Sequence, residues 1–245
     1  MNSEVLMVID SGNTRLKWSI IDGQFRRVNF VWQSDKSQIE NLWSQLPKPA
    51  RCLVANVAGP KVSRYLTTVS RDLWGIGLKE IKGERESCGV TNCYIEPSLL
   101  GADRWASLIA AHQLFKEDVL VISLGTANTI DMLCGDGRFV GGVIIPGLDM
   151  MVKSLSDGAH DLSITTGQEV LYPNNTEDAI TTGTFRAVVG AIKEMCQQML
   201  RERERVPKLI FTGGNSNILK KFFKQECIIH ENLVIDGLVT IGQSL

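Results

Sequence analysis

Three short strings in this chain carry residues able to do chemistry. The first is Asp10-Ser11-Gly12-Asn13-Thr14, which follows five apolar residues, Val5 to Ile9. Such a run reads as a buried strand, here delivering the Asp10 carboxylate at its end. Gly12 allows a sharp turn, and Asn13 and Thr14 tolerate turn geometry while offering polar side chains. Beyond the turn, Leu16, Trp18 and Ile20 alternate with Lys17, Ser19 and Ile21, so the chain returns as a second strand and not as a helix. A carboxylate beside free backbone N–H groups in a tight strand-to-strand turn suits a metal-bound phosphate. Neither a Gly-x-x-x-x-Gly-Lys-Ser/Thr loop nor a Gly-x-Gly-x-x-Gly fingerprint occurs anywhere in the chain.

The second string, Gly101-Ala102-Asp103-Arg104, stands where an irregular stretch from Cys88 meets a helix running to about Lys116. Free N–H groups and the positive end of the helix dipole favour anions at such a junction. Asp103 also reads as a helix-cap carboxylate and Arg104 as a solvated side chain. The third string repeats the first. Val119 to Leu124 is an apolar run ending in Gly125-Thr126-Ala127-Asn128-Thr129, and Asp136-Gly137-Arg138-Phe139 then echoes Asp22-Gly23-Gln24-Phe25. Two strand–glycine turn–strand–Asp-Gly turn–strand units make a long-period duplication. Paired domains of this kind are expected to set two glycine turns across a cleft that grips a nucleotide's phosphates. Gly213-Gly214, after an apolar strand Lys208 to Thr212, allow close backbone approach to a flat ligand such as adenine, or simply start a helix.

The elements that must position these strings follow from periodicity. In the first half, Asp22-Gly23 turns the chain into a third strand through Phe25, Val28, Phe30 and Trp32. Ile39 to Leu46 has helical spacing and stops at Pro47, Cys52 to Ala55 is a short buried strand, and Pro60 opens a helix through Leu73. In the second half, Gly141 to Gly147 closes a third strand and Leu148 to Leu155 forms a helix. Gly158 to Asn175 is irregular, and Thr176 caps a long helix whose acidic first turn is Glu177 and Asp178. A short strand near Ile228 and a helix from about Glu231 are expected to finish the second half. The reading is α/β, with two duplicated domains at 1–116 and 117–245.

Composition narrows the class. The 245 residues are 44% hydrophobic with a net charge of −1, which gives ample core and no electrostatic case for nucleic acid or membrane partners. No apolar run approaches the ~20 residues of a membrane span, and the start of the chain lacks the basic region of a signal peptide. Six cysteines without a Cys-x-x-Cys pair read as reduced thiols of a cytoplasmic protein, without structural zinc. His112, His160 and His230 show no ligand spacing.

Taken together, these strings resemble the type III pantothenate kinases of the actin-like (ribonuclease H-like), sugar-kinase and Hsp70 ATPase superfamily, over essentially the whole chain. Asp10 to Thr14 resembles the family's first phosphate motif, with Lys17 at the matching downstream position. Gly101 to Arg104 resembles its Gly-x-Asp-Arg motif, preceded by Tyr94 at the substrate-tyrosine position. Leu124 to Asp131 resembles the second phosphate motif, and Thr212 to Asn215 the adenosine motif. The resemblance implies mixed sheets flanked by helices, a nucleotide cleft between the domains, and ATP-dependent phosphorylation of pantothenate at the head of coenzyme A synthesis. It implies Asp103 as general base, and Tyr94, Gly101, Ala102, Arg104 and Thr182 as substrate contacts. ATP would be bound by Asp10, Ser11, Gly12, Asn13, Thr14, Arg15, Leu16, Lys17, Gly125, Thr126, Gly213 and Gly214, with Asp10 holding Mg2+ through water. A homodimer with its pantothenate pocket at the subunit interface is also implied.

One position departs from that pattern. Where the family has a carboxylate before the second glycine turn, helping to bind an activating monovalent cation (NH4+ or K+), this chain has Ser123. A neutral hydroxyl gives up most of the attraction for such an ion. Alternatives on the same scaffold are a non-catalytic ATP-binding regulator, a kinase for another small alcohol, and a phosphatase.

Overall fold

The computed structural model describes residues 4–23, 25–158 and 167–245. Gln24 of the first Asp-Gly turn, His160 and much of the expected irregular stretch from Gly158 to Asn175 lie outside them. The chain divides into two compact units: Met1–Leu114 with Gly137–Phe139 and Asn232–Leu245, and Phe115–Asp136 with Val140–Glu231.

The first unit is built on a five-stranded sheet. β1 (Leu6–Ser11), β2 (Arg15–Asp22) and β3 (Phe25–Trp32) form an antiparallel meander, and after α1 (Ile39–Trp43) the chain adds β4 (Arg51–Asn56) parallel to β1. α2 (Pro60–Trp74) and β5 (Lys79–Glu80) complete the order β3-β2-β1-β4-β5. Alternation in β2 buries Leu16, Trp18 and Ile20 in a core shared with Met7, Ile9, Val54, Leu66 and two further indoles. Trp43 stacks on Trp74 at 5.5 Å and meets Trp18 edge-on at 6.2 Å. α1 is shorter than its apolar spacing predicts: it starts at Ile39 as expected but ends at Trp43, where the Leu46 N–H turns back to the Trp43 carbonyl at 2.9 Å. Pro60 begins α2 as expected, and Gly75, at φ 71°, ends it. The small strands β6 (Glu86–Ser87) and β7 (Val90–Asn92) lead to α3 (Ala102–Leu114).

The second unit repeats this plan. β8 (Val119–Leu124) pairs antiparallel with β9 (Ala127–Leu133), β10 (Arg138–Pro146) lies beyond β9, and β11 (Lys208–Thr212) and β12 (Cys227–Ile229) extend the sheet in parallel from β8. Five of the seven strands of this sheet, in the order β10-β9-β8-β11-β12, match the first unit's sheet strand for strand. Leu120, Ile122, Val188, Ile192, Leu209 and Phe211 form its core under α4 (Leu148–Gly158), α5 (Thr176–Arg203) and α6 (Ser216–Lys220). Asn175, not Thr176, caps α5: its Oδ1 accepts the Asp178 N–H at 2.8 Å, leaving Thr176 as the first helical residue.

The last helix, α7 (Leu233–Ser244), belongs to the first unit and not to the second, where the order of the chain put it. It buries Leu233, Ile235, Leu238 and Ile241. Gly237 faces α3 so closely that a Cβ there would collide with the Ala106 carbonyl. Arg51 Nη1 donates to the Gly242 carbonyl at 2.9 Å, and Arg26 pairs with Asp236.

Candidate active site

In the first unit the strand register places Asp10 directly opposite Lys17, one pair in from the turn of the β1–β2 hairpin. Gly12, Asn13 and Thr14 make the turn between them, with Asn13 and Thr14 exposed. The Gly12 N–H donates to the Arg15 carbonyl at 3.0 Å. Ser11 and Leu16 are fully buried, so neither side chain reaches a ligand. Arg15 holds its guanidinium over the rings of Trp32, at 4.6 Å, and Phe30, at 5.7 Å. Gln33, given no role from sequence, braces the turn. Its side-chain amide donates to the Gly12 carbonyl at 2.8 Å and its own N–H to the Thr14 carbonyl at 2.9 Å.

Asp103 stands in the first turn of α3, where its carboxylate accepts the Arg104 N–H at 2.8 Å and folds over Gly101. Ala102 begins the helix and is buried. Asp10 and Asp103 feel one another. The protein packed around Asp10 strips its carboxyl of solvent despite some residual exposure, and the Asp103 charge adds repulsion. Lys17 opposes both effects, and the pKa is pushed up from 3.8 to about 7. Asp103 is also raised, by burial, against the lowering pull of its bonds and charge contact with Arg104. Arg104 is buried and donates from Nη1 to the Tyr94 hydroxyl at 3.0 Å. Tyr94 lies 5.3 Å from the Phe139 ring, and the guanidinium rests near both rings at 5.7 and 5.9 Å. The solvated Arg104 that sequence alone also allowed is therefore excluded.

In the second unit Gly125 and Thr126 are exposed in the turn from β8 to β9. The Thr126 carbonyl accepts the Gly147 N–H at 2.9 Å, tying that turn to the start of α4. Ser123 precedes it, in register with Thr129 on one side and Thr212 on the other. Gly213 adopts φ 93° after β11, and a Cβ there would strike the Leu124 carbonyl, so glycine is required. Gly214 follows in the same turn, and Ser216 then opens α6 as the alternative reading of these glycines supposed. Beside them is a cavity of about 450 Å3, lined among others by Leu148, Asp149, Lys153, Phe185, Asn215 and Ile218. That volume falls in the range of small-molecule sites. Thr182 is buried in α5, and its hydroxyl accepts the Val170 N–H at 3.1 Å, so it is engaged with its own chain. Among the described residues no group of three or more His, Cys, Asp or Glu side chains forms a metal cage.

A profile of the type III pantothenate kinase family matches residues 6–198. The type III pantothenate kinase of Nitrosospira multiformis is 36% identical over 240 residues, spanning 98% of this chain and 91% of that one. That of Acidovorax ebreus is 35% identical over 247 residues, spanning 96% and 95%. Among solved structures, a conserved Campylobacter jejuni protein assigned to the Baf family of transcriptional activators aligns with a TM-score of 0.62 at 20% identity, covering 97% of this chain and 98% of that one. A glucokinase from an Antarctic psychrotroph aligns at 0.50 with 10% identity, covering 98% and 99%. At such identities the structures speak for the fold alone, which is the actin-like fold of the sugar kinases. With its four motifs in order, its duplicated strand plan and relatives matching along nearly its full length, the chain belongs to the type III pantothenate kinase family.

Proposed function

We propose that this chain transfers the γ-phosphoryl group of ATP to the terminal hydroxyl of pantothenate, giving 4'-phosphopantothenate and ADP, the first step of coenzyme A synthesis. The observation that carries the reading is the carboxylate pair: Asp103 beside a helix start and close enough to Asp10 to raise its pKa. Asp103 orients the alcohol and accepts its proton. Phosphoryl transfer is loose and dissociative, so the proton leaves late and a strong base is not needed. The half-buried Tyr94 hydroxyl and the Arg104 guanidinium hold pantothenate beside Gly101 and Ala102, a guanidinium being suited to carboxylate and amide oxygens. The exposed turn residues Asn13 and Thr14, and Gly125 and Thr126, receive phosphate oxygens. The nucleoside is taken beside Gly213 and Gly214, where the cavity lined by Asn215 supports a ligand of that size.

Mg2+ fits this donor set. Asp10 is a desolvated carboxylate whose ionised form lacks full compensation, and hard divalent cations answer that need with one carboxylate, water and phosphate oxygens. When bound, such an ion neutralises charge on the β- and γ-phosphate oxygens. Ser123 offers a monovalent cation only a neutral oxygen, so we infer that ammonium or potassium activates weakly. Thr182 remains a substrate contact only where its bond to Val170 yields. The fully exposed Ile95 and the largely exposed Leu99, flanking Tyr94, support a homodimer joined near the pantothenate subsite, which a mass measurement in solution tests. The six free cysteines support the cytoplasm as its location.

The deciding assay is ADP release with pantothenate and Mg-ATP, with and without potassium or ammonium. Asp103→Asn is expected to lower kcat by about 10²–10⁴-fold while the protein stays folded. Equal turnover by that variant removes Asp103 from the mechanism. ATP binding without turnover of any alcohol replaces the kinase by a regulator.

A further inference from the structure

Arg85 has no place in the motifs above, yet it holds the loop that presents Tyr94. Its side chain is exposed, but its guanidinium spans three carbonyls: Nη1 donates to Asn92 at 2.9 Å and to Tyr94 at 3.0 Å, and Nη2 to Ile95 at 3.2 Å. The Arg85 carbonyl in turn accepts the Asn92 N–H at 2.9 Å. Asn92 is fully buried and continues the clamp, with Oδ1 accepting the Tyr94 N–H at 3.1 Å and Nδ2 donating to the Pro97 carbonyl at 3.3 Å. The segment so gripped has no helix or strand of its own between β7 and the turn at Pro97, and Cys93, Ile95 and Glu96 are exposed. Its shape therefore comes from these bonds and from the Cys93 N–H donating to the Phe139 carbonyl at 3.0 Å.

A guanidinium presents its donors in a fixed plane, so one Arg85 side chain fixes the relative orientation of the Asn92, Tyr94 and Ile95 carbonyls. Tyr94 is then held at both ends, its main chain by Arg85 and Asn92 and its hydroxyl by Arg104. We propose that Arg85 is a positioning residue for the pantothenate subsite, acting through Tyr94 by setting the ring against Arg104. This rests on the reading of Tyr94 and Arg104 as pantothenate contacts. A ring placed in advance spares the substrate the ordering of the loop, so loss of Arg85 acts on pantothenate binding more than on ATP or on the chemical step.

Two readouts on Arg85→Ala and Arg85→Lys test this. In steady-state kinetics Arg85→Ala is expected to raise the pantothenate KM about tenfold, with kcat and the ATP KM within about twofold of the unmodified enzyme. Arg85→Lys keeps the charge without the planar fork and falls between. In protein labelled with 3-fluorotyrosine there are three tyrosines, Tyr65, Tyr94 and Tyr172, and Tyr94→Phe assigns the relevant ¹⁹F resonance. That resonance is expected to shift or broaden in both Arg85 variants while the other two stay. An unmoved Tyr94 resonance overturns the proposal, whatever the kinetics do. So does an unchanged pantothenate KM in active enzyme, or an equal rise in both KM values. If Arg85→Ala does not fold, Arg85→Lys decides by the same two criteria. Should the unmodified protein leave pantothenate untouched, the kinase reading falls, and the resonance still decides whether Arg85 sets Tyr94.

Discussion

Asp10 ionises at a cost in this fold, and that cost has a sign. The unfolded carboxyl loses its proton near 3.8 and the folded one near 7, so between those values the folded protein binds more protons. Stability of the ligand-free protein therefore falls as pH rises from about 4 to about 7 and levels off above. Asp10→Asn removes this dependence, and we expect the variant to be more stable than the unmodified protein at pH 8 by about 1–3 kcal/mol, a full shift discounted for partial exposure. Denaturant titrations at pH 5 and pH 8 without Mg2+ check it; a stability gap that does not widen with pH contradicts it. Asp103→Asn is expected to lower the pKa of Asp10 as well, since one source of repulsion goes. Both carboxylates were legible in the sequence, one ending an apolar run and one opening a helix. The bonds of Gln33 and Arg85 were not. They go to main-chain carbonyls, whose positions follow from the path of a loop and leave no residue-type signal.

At the level of elements, the crossing of α3 and α7 is the tightest constraint on the first unit. Alanine in a helix interior is ordinarily better than glycine by about 1 kcal/mol. At Gly237 the collision with the Ala106 carbonyl outweighs that gain, and Gly237→Ala is expected to destabilise by about 2–4 kcal/mol. Gly190→Ala, in α5 with open space around it, is expected to stabilise by about 0.5–1 kcal/mol. Thermal melts of the two variants should move in opposite directions; the same direction for both contradicts the packing argument. Periodicity revealed the β1–β2–β3 meander because alternation in β2 is unambiguous. It misassigned the cap of α5, since Asn175 and Thr176 are both good caps and only backbone geometry separates them.

For the molecule as a whole, the repeated strings gave away a duplication that the strand orders bear out. The destination of α7 was hidden, because an amphipathic helix carries no mark of the sheet it will cover. All five tryptophans lie between Trp18 and Trp105, in the first unit, so their fluorescence reports on that unit alone. A chain lacking residues 232–245 exposes the apolar surface that α7 covers. Its tryptophan emission is expected to shift to the red with loss of the cooperative melt; native emission and melting contradict the assignment of α7 to the first unit.

That assignment has a consequence for how the protein is made. The ribosome delivers residues 1–114 of the first unit early and its closing helix about 120 residues later, or roughly 6–24 s of synthesis. During that interval the faces of α3, β1 and β4 that await α7 stand open in the nascent chain, which makes them natural ground for a chaperone. Arrested chains long enough to expose residue 245 outside the exit tunnel should resist protease across the first unit, and chains stopped near residue 200 should not.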